Sequence, residues 1–228
     1  SLANSKALEI ADITAETIDP VGGVIIRNSK NEPTGILKDL AMNLILDLVP
    51  PESDVEKDKA LKKAMDYALS LGLTQVHDMG SWDDLQTYKR NHDKGELKIR
   101  VKIYPWYTNW KRIIEYVKRN GRGDDWLRWD GIKGMMDGSL GSRTAWMHKP
   151  YLHDINSNDK ESLPTLGVIT IKDTTDFKYL LRETDKVGIQ HAVHAIGDRA
   201  NDWILDEFKN IEKDNGHRDR RSRIEHSQ

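Results

Sequence analysis

Residues 131–139 of this chain read GIKGMMDGS, residues 190–200 read QHAVHAIGDRA, and residues 223–228 read RIEHSQ. Each segment has the short apolar run of a buried strand, and a basic side chain stands in the run or at its end: Lys133, His194 and His226. The functional residues of a (β/α) barrel lie at the carboxyl ends of its parallel strands. The order lysine, histidine, histidine on successive strands therefore predicts that these side chains meet at one end of a parallel sheet.

The chain around these segments alternates between helix-like and strand-like stretches. Helical spacing occurs in residues 60–69, 83–91, 110–119, 173–187 and 199–211, and strand-like runs occur in residues 73–78, 99–104, 132–137, 189–194 and 222–226. Strands that alternate with crossover helices form parallel sheets. The pattern predicts an α/β fold and favours a (β/α) barrel over an open sheet.

Residues 1–56 do not follow this alternation. A helix is predicted at residues 5–11, a turn at residues 20–23, a strand at residues 24–27 and a second helix at residues 37–48. We interpret residues 1–56 as a small α+β excursion packed over the barrel mouth, and residues 57–228 as the barrel unit.

Composition excludes several classes of partner. Charged residues make up 32% of the 228 residues, but their signs nearly cancel to a formal charge of −2, which argues against nucleic-acid and membrane partners. The basic residues 217–223 are interpreted as a solvated loop rather than a binding patch. No apolar run is long enough to span a membrane. The absence of cysteine excludes disulfides and thiolate ligands, and it favours a cytoplasmic location without excluding an upstream signal.

The predicted strand ends carry polar groups that are costly to bury alone. Lys133 and Asp137 share a strand face, so they form either an ion pair or part of a metal site in which the lysine is carboxylated by carbon dioxide. His194 and His226 are each weak candidates alone, but three such residues at corresponding strand ends favour a metal site, and imidazole suits zinc. His191 faces the opposite way and is predicted to pack and hydrogen-bond.

One connection is much longer than an ordinary βα loop. Residues 138–167 are rich in Gly, Pro, Asn and Asp, and loops of this length are usually functional. We expect this loop to fold over the barrel mouth, with Arg143 directed towards the metal region and Trp146 lining a pocket. His77 and Asp78, at an earlier strand end, are weaker candidates for the same region.

These motifs together resemble the metal-dependent amidohydrolase superfamily, in its third amidohydrolase branch, which contains N-substituted formamide deformylase and the exoenzyme regulatory proteins. The resemblance rests on residues 2–8, 22–23, 33–37, 71–80, 131–133, 137–145, 150–151, 194–200 and 223–228. It covers essentially the whole chain. It implies that Lys133 is the carboxylated lysine and that His194 and His226 are metal ligands. Asp137 and Arg143 match positions that shape the site and contact substrate.

The resemblance also implies what is missing. No segment matches the family's first-strand His-x-His pair or its late aspartate, so the chain is expected to hold about strands 2–6 of eight and to be inactive alone. Its open sheet edges predict pairing with another copy.

The implied function is hydrolysis of carbon–nitrogen bonds, in non-peptide amides of small molecules, with a divalent metal, most simply zinc. Two alternatives stay open: a non-catalytic binding or regulatory module on the same barrel, and a deaminase of cyclic amidines.

Overall fold

The chain folds into two compact units, Ser1–Glu56 and Lys57–Gln228. The structure is a computed structural model that describes residues 1–20, 23–151 and 166–228. Each unit has its own buried apolar residues. Within the described ranges, no helix is both long and apolar enough to cross a membrane.

The first unit is built on an antiparallel strand pair. Its elements are helix α1 (Ser5–Ile10), strands β1 (Gly23–Arg27) and β2 (Pro33–Asp39), a 3₁₀ helix (Leu40–Met42) and helix α2 (Asn43–Leu46). The predicted helix at residues 37–48 is wrong at its start, because Leu37 lies in β2 opposite Ile25, where both side chains are buried. The predicted turn at residues 20–23 includes Val21 and Gly22, which lie outside the described residues.

The second unit alternates helices and strands, as the sequence predicts. Its helices are α3 (Asp54–Ser70, which begins just before the boundary), α4 (Trp82–Asp93), α5 (Trp110–Asn120), α6 (Thr174–Lys186) and α7 (Asp198–Asn215). Its strands are β3 (Gln75–Asp78), β4 (Arg100–Ile103), β5 (Leu127–Arg128), β6 (Gly131–Met135), β7 (Gln190–Ala195) and β8 (Arg223–His226).

The strands of the second unit form two parallel sheets. One has the order β3-β4-β5 and the other β6-β7-β8, and a single parallel bridge between Trp106 and Lys133 connects the chain after β4 to β6. The parallel α/β class is therefore confirmed. The described strands do not close into a barrel. The sequence pattern does not predict β5, which has only two residues and pairs with β4.

Apolar side chains between the helices and the second sheet hold the strand ends in place. Phe177 and Leu181 of α6 pack in one cluster with Val193 of β7 and Ile204 of α7. Phe177 lies so close to β6 that a Cβ atom on Gly134 would stand 2.9 Å from its ring. A glycine beside Lys133 therefore lets α6 approach the strand that carries the lysine.

Candidate metal centre

Strand pairing brings His194 and His226 to the carboxyl ends of β7 and β8, whereas Lys133 is the third of the five residues of β6 and does not lie at the strand end that the sequence predicted. Met135 pairs with His194, and Ala195 pairs with His226, so the ends of β6, β7 and β8 are level. The imidazole rings of His194 and His226 are edge to face, with centroids 4.6 Å apart. Lys133 is close enough to act electrostatically on His194. The two imidazole rings are thus in contact, and the Lys133 amine acts on His194 from the neighbouring strand.

Lys133 is buried with little to stabilise its positive charge. Lys133 is only 6% exposed, and its Nζ donates a hydrogen bond of 2.9 Å to the carbonyl oxygen of Gly134. Burial lowers the pKa of Lys133 to about 8, against a smaller opposing effect of the Glu225 carboxylate. The ion pair with Asp137 that the sequence left open is not formed in the described part of the chain. Lys133 therefore loses its proton more readily than an ordinary lysine does.

Asp137 is fully buried and accepts hydrogen bonds from the backbone. Its Oδ2 accepts the N–H of Trp146 at 2.8 Å and that of Gly197 at 2.7 Å, and its Oδ1 accepts the N–H of Ile196 at 3.0 Å. Its Oδ1 also lies 3.5 Å from Nε2 of His194. Asp137 therefore joins the start of the long loop to the turn that follows His194, which is a positioning role in this geometry.

His194 has a defined tautomer. Its Nε2 lies 2.8 Å from the carbonyl oxygen of Gly138, and because a carbonyl only accepts, Nε2 carries the proton. The pKa of His194 is lowered, first by burial and then by the neighbouring charges of Lys133 and His226. The lone pair of a neutral His194 is therefore on Nδ1, and this nitrogen can bind a metal.

His226 is held at the end of β8 by an unusual backbone. It is exposed, with φ of 79°, and Ser227 follows with φ of 48°. Residues other than glycine rarely adopt these left-handed values, and such values cluster at functional sites.

The second histidine of β7 faces away from this region. His191 is buried, its Nε2 lies 2.9 Å from the hydroxyl of Thr184, and its ring stacks on Phe208. Burial lowers the pKa of His191 to about 4. His191 is a packing residue, as the strand alternation predicted.

The donor set fits part of a metal site. Two imidazoles and a lysine of lowered pKa are suitable ligands, the lysine once it is neutral or carboxylated. Among residues 1–20, 23–151 and 166–228, no group of three or more His, Cys, Asp and Glu side chains is arranged to hold a metal. Lys133, His194 and His226 are thus the candidate ligands in this part of the chain.

The long loop starts with a tight turn beside His194. Gly138 N–H donates to Thr144 O at 3.2 Å, and Arg143 has φ of 59°. The Arg143 side chain is exposed, and none of its described contacts joins it to the histidines. Trp146 is half-buried and stacks under the guanidinium of Arg199, at 4.5 Å from the ring centroid. The part of the predicted mouth-covering loop at residues 152–165 lies outside the described residues.

The sequence analysis did not single out Glu225. Glu225 shares a strand face with Arg223, whose Nε lies 2.8 Å from its carboxylate, and it is the carboxylate that acts on Lys133. The period of two along residues 223–226 could have identified this inward pair. His77 contacts the guanidinium of Arg223, and Asp78 is half-buried, with a pKa raised mainly by burial and a hydrogen bond to Tyr88.

Comparisons with known proteins agree with this architecture. Residues 1–228 match the amidohydrolase family model, so the chain belongs to the amidohydrolase family, as the motifs predicted. It is 38% identical over 240 residues to protein LONG AFTER FAR-RED 3 of Arabidopsis thaliana, covering 100% of this chain and 40% of that protein. It is 25% identical over 232 residues to N-substituted formamide deformylase of Arthrobacter pascens, covering 99% of this chain and 41% of the relative.

A solved structure shares the fold. The crystal structure of an uncharacterized metal-dependent hydrolase from Pyrococcus horikoshii OT3 superposes with a TM-score of 0.67 at 26% identity, over 92% of this chain and 40% of that protein. The chain therefore spans about two fifths of the length of each of these proteins.

Proposed function

We propose that the protein is a metal-dependent hydrolase of carbon–nitrogen bonds in small amides. The contact between the His194 and His226 rings, with the buried Lys133 amine on the neighbouring strand β6, carries the proposal. Family membership and the similarity to a metal-dependent hydrolase support hydrolysis, and the similarity to a formamide deformylase supports an amide substrate. We further propose that the two parallel sheets are part of a (β/α) barrel.

The proposed ligands have distinct roles. His194 offers Nδ1 because Nε2 is committed to Gly138 O, and His226 offers its ring from the exposed end of β8. The neutral amine of Lys133 attacks the carbon of carbon dioxide and loses a proton, which gives a carbamate that can bind metal. Bound zinc would polarise the amide carbonyl and acidify a water molecule. Asp137 holds the turn that follows His194, and Arg143 is proposed to contact substrate from the loop.

The test is a hydrolysis assay on the intact protein with added zinc, using N-formyl and N-acyl amines. We expect turnover that falls by at least roughly a hundredfold in His194→Ala and His226→Ala, since each removes a ligand. His217→Ala is the control, because His217 is 88% exposed and pairs only with Glu212 in the described chain. Release of ammonia from cyclic amidines without amide cleavage would favour the deaminase, and no turnover of either substrate class would favour the non-catalytic module.

We expect residues 1–228 alone to give no turnover. The described residues supply only the three candidate ligands named above, so we expect zinc to bind this segment weakly. Turnover by the segment alone with zinc would contradict this proposal.

A further inference from the structure

The register of β7 and β8 does not by itself bring the two histidine rings together. His194 pairs with Glu225, and Ala195 pairs with His226. Residues paired across two strands point to the same face of a sheet, and neighbours along one strand point to opposite faces. Ala195 belongs to the buried apolar cluster that contains residues of α6 and α7. On a regular strand, His226 would therefore point towards the helices, as Ala195 does, and away from His194.

The backbone of β8 changes direction at its end. Ile224 packs against the same apolar cluster, as the regular alternation requires. His226 departs from the alternation, because the centroid of its ring lies 4.6 Å from that of His194. The departure coincides with φ of 79° at His226 and 48° at Ser227. The left-handed backbone is therefore what turns the ring of His226 towards His194.

A side chain near the start of α7 holds this part of the backbone. The Oδ1 atom of Asn201 accepts a hydrogen bond of 3.1 Å from the Ser227 hydroxyl, and its Nδ2 donates to the carbonyl oxygens of Ala195 at 3.3 Å and Gly197 at 2.8 Å. The N–H of Ser227 donates to the same carbonyl of Ala195 at 3.1 Å. Both partners of Nδ2 only accept hydrogen bonds, so the orientation of the carboxamide is fixed. One carboxamide thus links the ends of β7 and β8.

We propose that Asn201 is a positioning residue of the candidate metal centre, which holds Ser227 and thereby keeps the ring of His226 beside that of His194. Residues other than glycine keep left-handed backbone angles where the surrounding structure enforces them. Groups that orient metal ligands affect the affinity for the metal. The inference rests on the proposed metal site, because binding a metal is what requires both rings in one place.

The first test uses the metal-free protein. In the intact protein with isotope-labelled histidine, NMR should show a nuclear Overhauser effect between ring protons of His194 and His226, because the rings are in contact. Asn201→Ala and Ser227→Ala should abolish this effect. Ser227 is exposed, so its variant should fold normally. Asn210→Ala, at an exposed position of the same helix, is the matched control and should keep the effect.

The second test measures zinc affinity by calorimetry. Asn201→Ala and Ser227→Ala should each weaken zinc binding by roughly tenfold or more, and Asn210→Ala should leave it unchanged. The double variant should bind zinc about as the weaker single variant does, because both substitutions remove the same hydrogen bond. Ser227→Gly should bind zinc more tightly than Ser227→Ala, because glycine adopts left-handed angles without strain. A role of the Ser227 side chain in folding alone would not produce this difference.

Three results would overturn the inference. The contact between the rings would be absent from the wild type, it would persist in Asn201→Ala and Ser227→Ala, or both variants would weaken zinc binding no more than Asn210→Ala does. A wild type that binds no zinc would instead contradict the proposed function. The metal-free measurement would then still decide whether Asn201 positions the rings.

Discussion

At the scale of single residues, Lys133 combines burial with a charge that the fold stabilises poorly. Its pKa is about 8 in the folded chain against 10.5 for an ordinary lysine. The unfolded chain therefore binds more protons than the folded chain between these pH values, so stability rises as the pH increases from about 8 to 10.5. Below pH 8 the buried ammonium costs on the order of 3 kcal/mol.

This shift gives a test on the metal-free protein. Lys133→Met removes the titrating group with little change in side-chain volume. Between pH 7 and pH 10, the wild type should gain on the order of 2 kcal/mol of unfolding free energy relative to the variant. Denaturant unfolding of both proteins at both pH values measures this difference, and a constant difference would show that Lys133 is not desolvated.

Asp137 gives a second prediction at this scale. Asp137→Asn replaces one acceptor oxygen with an NH₂ group that meets a backbone N–H donor. We expect a loss of about 2–4 kcal/mol in unfolding free energy. Asp202→Asn is the matched control, because its side chain is 69% exposed and pairs with His148, and its effect should stay within about 0.5 kcal/mol. Equal effects of the two substitutions would show that Asp137 does not hold the long loop to the turn after His194.

The sequence could place some of these residues but not their partners. The strands that carry Lys133 and His194 follow from the apolar periodicity, but Lys133 lies in the middle of β6 because the strand ends two residues earlier than the pattern predicts. The partners of Asp137 could not be predicted, because they are backbone N–H groups at residues 146, 196 and 197, which approach only after two loops have folded.

At the scale of elements, the turn from β7 into α7 is held by a close backbone approach. A Cβ atom on Gly197 would lie 2.0 Å from the carbonyl oxygen of Trp146, so the loop and the helix start can touch only with glycine here. Gly197→Ala should cost about 1–3 kcal/mol or more in unfolding free energy. Gly141→Ala, where no atom lies within 4 Å of the added Cβ, should have little effect. Chemical denaturation compares the two variants, and a neutral Gly197→Ala would contradict the described packing.

Elements with strong periodicity were predicted well, and those fixed by pairing were not. Helices α5 and α7 follow from the spacing of their apolar residues. The apolar spacing after Leu37 is typical of a helix, but Leu37 itself lies in a strand because it is buried opposite Ile25. The two residues of β5 carry no pattern of their own, because only their pairing with β4 makes them a strand.

At the scale of the whole molecule, strands β3 and β8 stand at sheet edges. Each pairs with one neighbouring strand among the described residues. Unpaired edges favour association, so we propose that the chain forms homo-oligomers through them. Light scattering after size exclusion should give a mass above the 26.2 kDa of one chain, and a strictly monomeric mass at high micromolar concentration would contradict this proposal.

We propose that Lys133, His194 and His226 form one metal site. Calorimetric titration of zinc into the purified chain tests it most directly, with Lys133→Met, His194→Ala and His226→Ala compared with the exposed control His217→Ala. We expect one weak zinc site whose affinity falls by roughly tenfold or more in each of the first three variants and stays unchanged in His217→Ala. Zinc binding that persists unchanged in His194→Ala and His226→Ala would contradict it.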